Sequence, residues 1–279
     1  HGHWETAQLP IFGIKLIGLT RGKIHMHGQP KTSFLSLAAT AAAGATSITL
    51  ASVPSGWGEG DRLMLTSSTH EFECTMKRDD ACQTEEVTLA AISGTTVTLA
   101  APLRYTHAVQ TVSVDGRTVT LAAEVVNLNR NVRIAGDDGP GTAGFGGHVM
   151  LLQPTDGESS FHHIELFRMG QAMRVGRYPL HLHAVTEDGA VGDVSRTTIV
   201  GVSVHHSFNR GVNIHGACQA EPAIDARCSQ RTEADPTGNP MAAHTGRPHG
   251  QLQCRRTRAD PTDSPNPSPH RQTHCSGQP

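Results

Sequence analysis

The sequence predicts an all-β protein: a right-handed parallel β-helix, preceded by a small antiparallel β module and followed by a disordered C-terminal tail. Three observations lead to this prediction. Short apolar segments recur between turns rich in Gly, Asp and Asn, residues 9–28 show no helical period, and the last aromatic residue is Phe208. The predicted boundaries are 1–30 for the end of a preceding β domain, 31–115 for the module, 116–216 for the β-helix and 217–279 for the tail.

Residues 9–28 alternate short apolar runs with glycines. Such punctuation is typical of short strands that turn corners in a β-solenoid or a sandwich. His25 and His27 stand two residues apart and therefore share one face of such a strand. The simplest interpretation is that these two imidazoles are polar residues on a solvated strand face.

A repeated pattern of alternating Thr and aliphatic residues predicts the antiparallel module. Alternation of this kind gives strands with one wet and one dry face. Ser93 and Gly94, between the second and third copies, favour a hairpin turn. The four copies are residues 46–51, 86–90, 96–100 and 117–122.

From about Thr118 the spacing changes to short apolar strands that predict coils of a parallel β-helix. A strand of this length is unstable alone, but stacking each strand on the next coil buries a continuous core. An antiparallel sandwich is the competing interpretation, because periodicity alone does not exclude it. The predicted strands lie at 131–134, 148–152, 163–167, 179–183, 198–204 and 211–215.

The tail, residues 217–279, contains no aromatic residue, one Ile, one Leu and nine of the sixteen prolines. It cannot bury enough apolar surface to offset the entropy of ordering, so we predict that it is disordered. A shifted reading frame in the coding sequence would produce such a break after Gly216, and this is our hypothesis for its origin. Translation of the other two frames without finding apolar strands would contradict that hypothesis.

Composition excludes several classes of partner. A net charge of -2 without a basic stripe argues against nucleic acid, and no apolar run approaches the length of a membrane span. Cys74 and Cys82 flank a polar loop, where a disulfide would fit an oxidising compartment and two unpaired thiols are the alternative. The four cysteines of the tail match no zinc signature.

Histidines concentrate at the end of the predicted β-helix. His181 and His183 share one strand face, and if His205 and His215 come from neighbouring strands, four imidazoles would converge on one patch. Imidazole is a good ligand for zinc-like ions, and it can serve as a general acid or base near neutral pH. A ladder of polar side chains that only satisfy one another is the alternative interpretation.

Carboxylates and arginines near the histidines suggest chemistry on an acidic glycan. Glycoside hydrolysis needs two carboxyl groups flanking the scissile bond, and the candidates are Glu165 on a strand and Asp188 in a loop. A merely solvated strand residue is the alternative for Glu165. Arg177 and Arg210 can hold uronate carboxylates in bidentate fashion, with Tyr178 as a third substrate-binding candidate.

Eight segments, in this order, resemble the eight-glycine-domain proteins with parallel β-helix repeats. This group includes fibrocystin and its relatives and the hyaluronidases of the cell-migration-inducing type. The most specific segment is Arg-Tyr-Pro-Leu-His-Leu-His at 177–183, and the matches cover most of residues 11–216. The matching segments are 13–18, 24–28, 57–61, 102–107, 123–134, 169–171, 176–183 and 207–216.

The resemblance implies that residues 1–30 end an eight-glycine-type domain, and that the chain lies outside the cell or in an ectodomain. It also implies calcium dependence, whereas the imidazoles suit a softer metal such as zinc. We expect an extracellular protein that depolymerises or binds an anionic polysaccharide such as hyaluronan, with His181, His183 and His215 central. The alternative is a non-catalytic module for adhesion or ligand binding, as in the fibrocystin type.

Overall fold

A computed structural model of the chain describes residues 9, 11–20, 22–68, 83–137, 144–152, 158–183, 194, 196–215 and 224–228. These residues contain strands, turns and bridges but no α-helix, which confirms the all-β prediction for the described part of the chain. Accordingly, no helix within these ranges has the length and apolarity needed to cross a membrane.

In chain order the strands are β1 (Leu16–Leu19), β2 (His25–His27), β3 (Phe34–Ser36), β4 (Ser47–Thr49), β5 (Arg62–Leu65), β6 (Glu85–Ser93), β7 (Thr96–Leu99), β8 (Val109–Val114), β9 (Arg117–Ala122), β10 (Glu124–Asn127), β11 (Val132–Ala135), β12 (His148–Leu152), β13 (Ser160–His162), β14 (Ile164–Phe167), β15 (Leu180–His183), β16 (Thr198–His205), β17 (Val212–His215) and β18 (Ile224–Cys228).

Two of the sheets consist of parallel strands. Sheet 1 has the order β1-β12-β15-β17, and sheet 2 has the order β11-β14-β16-β13-β2 with β18 beside β16. From β12 onward the chain alternates between the sheets, so that β15 and β17 lie in sheet 1 while β16 and β18 lie in sheet 2. Each strand pairs in parallel with a strand one coil further along the chain.

The core of this part lies between the two sheets. Val149 and Leu151 of β12 and Leu180 and Leu182 of β15 belong to the same buried cluster as Phe161 of β13. Because side chains alternate along a strand, the residues between these positions point to the outer faces. A fully buried Leu or Phe contributes about 1.5–3 kcal/mol, so the inward rows hold the sheets together and leave the outer rows for other roles.

A six-stranded antiparallel sheet lies between β2 and β11 in the chain, with the order β3-β10-β5-β6-β7-β4. Its aliphatic residues form a separate core, in which Leu63, Leu65 and Leu89 are fully buried. The Thr residues of β7 point to the exposed face, as the alternating pattern predicts. Strands β8 and β9 form a two-stranded hairpin of their own.

The antiparallel unit is inserted within a single rung of sheet 2. Strand β2 pairs with β13 and strand β11 pairs with β14, and only His163 separates β13 from β14. Residues 28–131 therefore leave the sheet after β2 and return to the same rung at β11. Two chain segments far apart in sequence together complete one rung.

Strand pairing crosses the predicted domain boundaries at three places. Strands β1 and β2 pair with β12 and β13, so residues 16–27 belong to the parallel sheets rather than to a separate unit. The antiparallel pairing extends to β10, past the predicted limit of 115. Strand β18 pairs with β16 inside the predicted tail, because backbone hydrogen bonding to an open strand edge does not require apolar composition. Residues 217–223 and 229–279 lie outside the described residues.

Arg130 joins the inserted unit to sheet 2. Its side chain is buried, and Nε donates a hydrogen bond to the carbonyl of Gly201 at 2.8 Å. Nη1 donates to the carbonyls of Asn127 and Asn129, and Nη2 donates to the hydroxyl of Ser33. One guanidinium thus satisfies backbone groups on both sides of the junction, as a buried charge requires.

Gly28 is the first residue of the insertion, and a side chain at this position would clash with backbone atoms. A Cβ at Gly28 would lie 2.0 Å from the carbonyl oxygen of His163. We expect Gly28→Ala to reduce the free energy of unfolding by about 1–3 kcal/mol, because the rung must shift to relieve the clash. Gly58 is the matched control, because no atom lies within 4 Å of an added Cβ there. Gly58→Ala should change the free energy of unfolding by less than about 0.5 kcal/mol. Equal losses in urea unfolding would contradict the junction geometry.

Candidate functional site

His181 and His183 lie on the outer face of sheet 1, since Leu180 and Leu182 point into the core. Their ring centroids are 5.3 Å apart. His181 is fully buried, and its Nδ1–H donates to the carbonyl of Gly176 at 2.9 Å. A carbonyl only accepts hydrogen bonds, so the neutral His181 ring carries its lone pair on Nε2.

Two further side chains extend this face toward Arg177. The edge of the buried Tyr178 ring meets His181, with 5.0 Å between centroids. His148 on β12 is fully buried, and its Nε2–H donates to the carbonyl of Phe12 at 3.0 Å. Burial and then the positive charge of Arg177 lower the pKa of His148 to about 4. His148 is therefore neutral at physiological pH.

Several cationic residues lie on or next to the turn that carries Arg177, and we name this surface the basic turn. Its members are Lys15, Phe145, Arg174, Arg177 and Arg210. The Phe145 ring centroid lies 5.4 Å from Lys15 Nζ and 4.9 Å from Arg174 Cζ. The half-buried Arg177 packs against Gly13, where an added Cβ would lie 3.0 Å from Nε. The absence of a side chain at Gly13 thus makes room for the guanidinium.

Asn209, from the next coil, holds the basic turn in shape. Its Nδ2 donates to the carbonyl of Gln171 at 2.8 Å and to that of Arg174 at 3.0 Å. Its Oδ1 accepts the backbone N–H of Arg210 at 2.9 Å. One amide side chain therefore fixes the backbone that carries Arg174 and places Arg210 beside it.

Positive charge accumulates at the basic turn. No carboxylate among the described residues lies within ion-pair distance of its four cations. Burial, and then the neighbouring Arg174 guanidinium, lower the pKa of Arg177. Both effects mean that the positive charge of Arg177 is held at a cost in free energy. An anionic ligand would offset that cost through charge-assisted hydrogen bonds.

His205 lies on the other sheet, which corrects the expectation of four converging imidazoles. It belongs to β16 in sheet 2, and it points away from the shared core because its neighbour Val204 points into it. The outer faces of sheets 1 and 2 are on opposite sides of that core. The chain changes sheet between β15 and β16, and this crossing separates His205 from His181 and His183.

Glu165 is the centre of a buried ionic cluster on sheet 2. Its Oε1 forms an ion pair with Arg133 Nε at 2.9 Å and accepts from His205 Nε2 at 3.1 Å, and its Oε2 accepts the backbone N–H of Arg130 at 3.0 Å. Burial alone would raise the pKa of Glu165, but the hydrogen bonds of His205 and Arg130, with the charges of His205 and Arg133, outweigh it and lower that pKa. Glu165 is fully buried and ionised, so it is unsuited to donating a proton to a glycosidic oxygen.

The cluster continues across the junction with the inserted unit. His205 Nδ1 lies 2.9 Å from His206 Nδ1, and His206 Nε2 lies 3.4 Å from Glu86 on β6. The guanidinium of Arg133 stacks 4.3 Å from the Phe167 ring centroid. The contact between His206 and Glu86 links the antiparallel unit to sheet 2.

Several predicted site features fall outside the described residues: Asp188, the side chain of His215, and the loop that holds Cys74 and Cys82. The backbone of His215 pairs in register with His183. Within the described ranges, no group of three or more His, Cys, Asp or Glu side chains could hold a metal ion. The metal site expected from sequence includes His215, whose side chain lies outside the described residues, so that site stays a prediction and no step below depends on a metal.

Sequence reasoning missed Lys15, Arg174, His148 and Arg130. Arg174 carried a usable signal, since it lies three residues before Arg177 in the same predicted turn. The other three are distant from the site in sequence. Lys15 and His148 reach the basic turn only through the pairing of β1 with β12 and of β12 with β15.

A family model described as "CEMIP beta-helix" matches residues 144–221, which include the later coils and every member of the basic turn except Lys15. Fibrocystin-L of Mus musculus is 30% identical, over 77% of this chain and 6% of its own length. A G8 domain-containing protein of Dictyostelium discoideum is 32% identical, over 73% of this chain and 16% of its own. The chain belongs to the G8-domain, CEMIP-type β-helix family. It spans only a small part of these relatives.

Among solved structures, the tailspike protein gp49 of Pseudomonas phage LKA1 overlaps 71% of this chain and 41% of its own. The sequence identity is 14% and the TM-score is 0.28. The assignment of this chain to the G8-domain, CEMIP-type family rests on its sequence.

The low pKa of His148 makes stability depend on pH. Between about pH 6.5 and about pH 4 the unfolded chain binds a proton at His148 and the folded chain does not, so folding stability falls as pH falls through this window. The expected loss is about 3 kcal/mol. His148→Gln should remove most of this slope in urea titrations at several pH values, whereas His27→Gln, at an exposed imidazole, should leave it. An unchanged slope in His148→Gln would refute the assignment.

The Glu165 cluster predicts a structural effect of mutation. Glu165→Gln removes the counter-charge of Arg133 and one of the two carboxylates that stabilise the charge of Arg130. We expect a loss of about 3 kcal/mol in the free energy of unfolding above about pH 5. Because the pKa of Glu165 is lowered in the folded state, this contribution should fade as the carboxylate is protonated in acid. Glu86→Gln, at a partly exposed carboxylate, is the control and should cost less than about 1 kcal/mol.

Proposed function

We propose that this part of the chain binds an anionic polysaccharide such as hyaluronan at the basic turn. The observation that carries the proposal is the group of four cations with no carboxylate within ion-pair distance among the described residues. Two of them, Arg177 and Arg210, were already predicted to hold uronate carboxylates. A polysaccharide places one carboxylate after another along its length, which suits several cations spread over neighbouring coils.

The arrangement of the basic turn supports recognition of a sugar chain. Guanidinium groups form paired hydrogen bonds with a carboxylate, and Arg174 and Arg177 present two of them on one turn. Phe145 lies between Lys15 and Arg174 and offers an apolar ring that can face a sugar. Asn209 fixes the backbone of the turn, so less entropy is lost when a ligand binds.

We favour binding over depolymerisation. Glu165, the predicted catalytic carboxyl among the described residues, is fully buried and makes three strong contacts that hold it ionised. Glycoside hydrolysis needs an accessible acid with a raised pKa. The function proposed is therefore that of a glycan-binding module in a secreted protein or an ectodomain, built on a right-handed parallel β-helix. This choice corresponds to the non-catalytic, fibrocystin-like alternative.

The test measures binding of fluorescent hyaluronan oligosaccharides at neutral pH by anisotropy. Replacing both Arg174 and Arg177 by Ala should weaken binding at least about tenfold, because two charge-assisted contacts are lost. Arg117→Ala is the matched control: it removes an exposed arginine from the β8–β9 hairpin and should leave the affinity unchanged. Equal affinity of the double variant and the wild type would refute the site.

A second measurement separates binding from depolymerisation. The length of the hyaluronan, followed on gels after prolonged incubation with and without chelator, should not change. Shortening of the polymer would contradict the non-catalytic assignment. Shortening that stops with chelator would in addition support the calcium dependence implied by the family resemblance.

A further inference from the structure

A second row of imidazoles lies on the outer face of sheet 2, away from the basic turn. We name it the imidazole ladder, and its members are His25, His27, Ser160, His162 and Thr198. They come from the three neighbouring strands β2, β13 and β16, and each side chain lies next to an inward-pointing core residue. His25 and His27 are exposed and His162 is half-buried, so a ligand can reach the imidazoles.

The ladder is closely connected. Ser160 Oγ lies 2.7 Å from His25 Nδ1 and 2.6 Å from His27 Nε2. His162 Nε2 lies 2.6 Å from Thr198 Oγ1. The rings of His27 and His162 are stacked, with 4.6 Å between centroids and 7° between planes. His27 thus contacts His162 by stacking and is linked to His25 through Ser160, and each of the three rings can gain a positive charge.

When its rings are neutral, the ladder satisfies its hydrogen bonds internally. A serine hydroxyl has one hydrogen to donate, so Ser160 can donate to at most one of the two imidazoles and must accept from the N–H of the other. His162 and Thr198 share one hydrogen bond in the same way. A hydroxyl that donates to a ring has no hydrogen left for a ligand. Neutral rings also give this face no positive charge with which to attract an anion.

Protonation changes both properties together. An imidazolium has an N–H on each nitrogen, so Ser160 must accept from both His25 and His27, and its own hydrogen becomes available to another acceptor. Protonated His162 likewise donates to Thr198 and releases the threonine hydrogen. The same event creates up to three positive charges that repel one another. Burial, followed by the charges of His27 and His25, lowers the pKa of His162, as such repulsion requires.

Fixed charges beside the ladder do not cancel this effect. Glu158 is the nearby carboxylate among the described residues, and its pKa is lowered by the hydrogen bond and charge of Lys23 and then by the charge of Arg196. Lys23 Nζ and Arg196 Nη2 lie 2.6 Å and 2.9 Å from its Oε2. Two cations already surround this one carboxylate. The neighbours of the ladder on β16 are the uncharged Thr198 and Val200.

We propose that the imidazole ladder is a second binding site for the carboxylate or sulfate groups of acidic polysaccharides, and that it forms only in mildly acidic solution. Protonated His25, His27 and His162 supply the charge, and the hydroxyls of Ser160 and Thr198 supply the hydrogen-bond donors. The site is independent of the basic turn, which is charged at all physiological pH values. A glycan bound at the basic turn at neutral pH therefore gains a second point of attachment in acid.

The experiment compares oligosaccharide binding at about pH 7.5 and about pH 5.5, the range in which imidazoles titrate. Hyaluronan oligosaccharides carry carboxylates alone, and chondroitin sulfate oligosaccharides carry sulfates as well, so the two probes distinguish the preferred anion. Wild-type affinity for at least one probe should rise at least about tenfold on acidification, the gain linked to one pKa unit. His25→Gln combined with His27→Gln should lose this gain and keep the affinity at neutral pH.

The Arg174→Ala and Arg177→Ala double variant is the complementary control. It should lose binding at neutral pH and keep the gain in acid, so failure of either site can be recognised separately. Nuclear magnetic resonance of His162 gives a second readout, because a bound anion should raise the pKa of its imidazole. An acid gain that survives in the His25 and His27 variant, or a His162 pKa that ligand does not move, would overturn the proposal.

Discussion

The junction between the two architectures depends on the buried carboxylate of Glu165. A charge without solvent is tolerated only where donors replace the lost water, and here Arg133, His205 and the backbone of Arg130 supply them. Arg130 in turn bonds to both the inserted unit and Gly201 of sheet 2. Loss of the carboxylate would leave several cations unpaired at one place, so the antiparallel unit and the coils are coupled through this group.

In the described part of the parallel sheets the polar clusters lie on the outer faces, because the space between the sheets is filled with apolar side chains. Each coil adds one residue to every outer row, and neighbours in a row come from segments tens of residues apart. The result is three different polar surfaces on one scaffold: the basic turn, the Glu165 cluster and the imidazole ladder. Burial decides their roles, since the ionic cluster is enclosed and the other two contain exposed side chains.

Alternation along a single strand could be predicted from sequence, and the relation between strands could not. His181 and His183 were expected on one face, and the structure places them so, because that relation needs only a period of two. Placing His205 required knowing that the chain changes sheet between β15 and β16. The pairing of β2 with β13 was likewise hidden, since residues 28–131 intervene and short strands give no signal of their partners.

The split rung of sheet 2 affects the order of folding. Strands β2 and β11 must arrive end to end, beside β13 and β14. Bringing the ends of so long an intervening segment together carries a loop-closure cost that grows with its length. If residues 28–131 fold first, their own antiparallel pairing of β3 with β10 draws the two ends near each other and removes most of that search. The inserted unit would then act as a folding nucleus for the first rung, and the later coils would add to a template that is already closed.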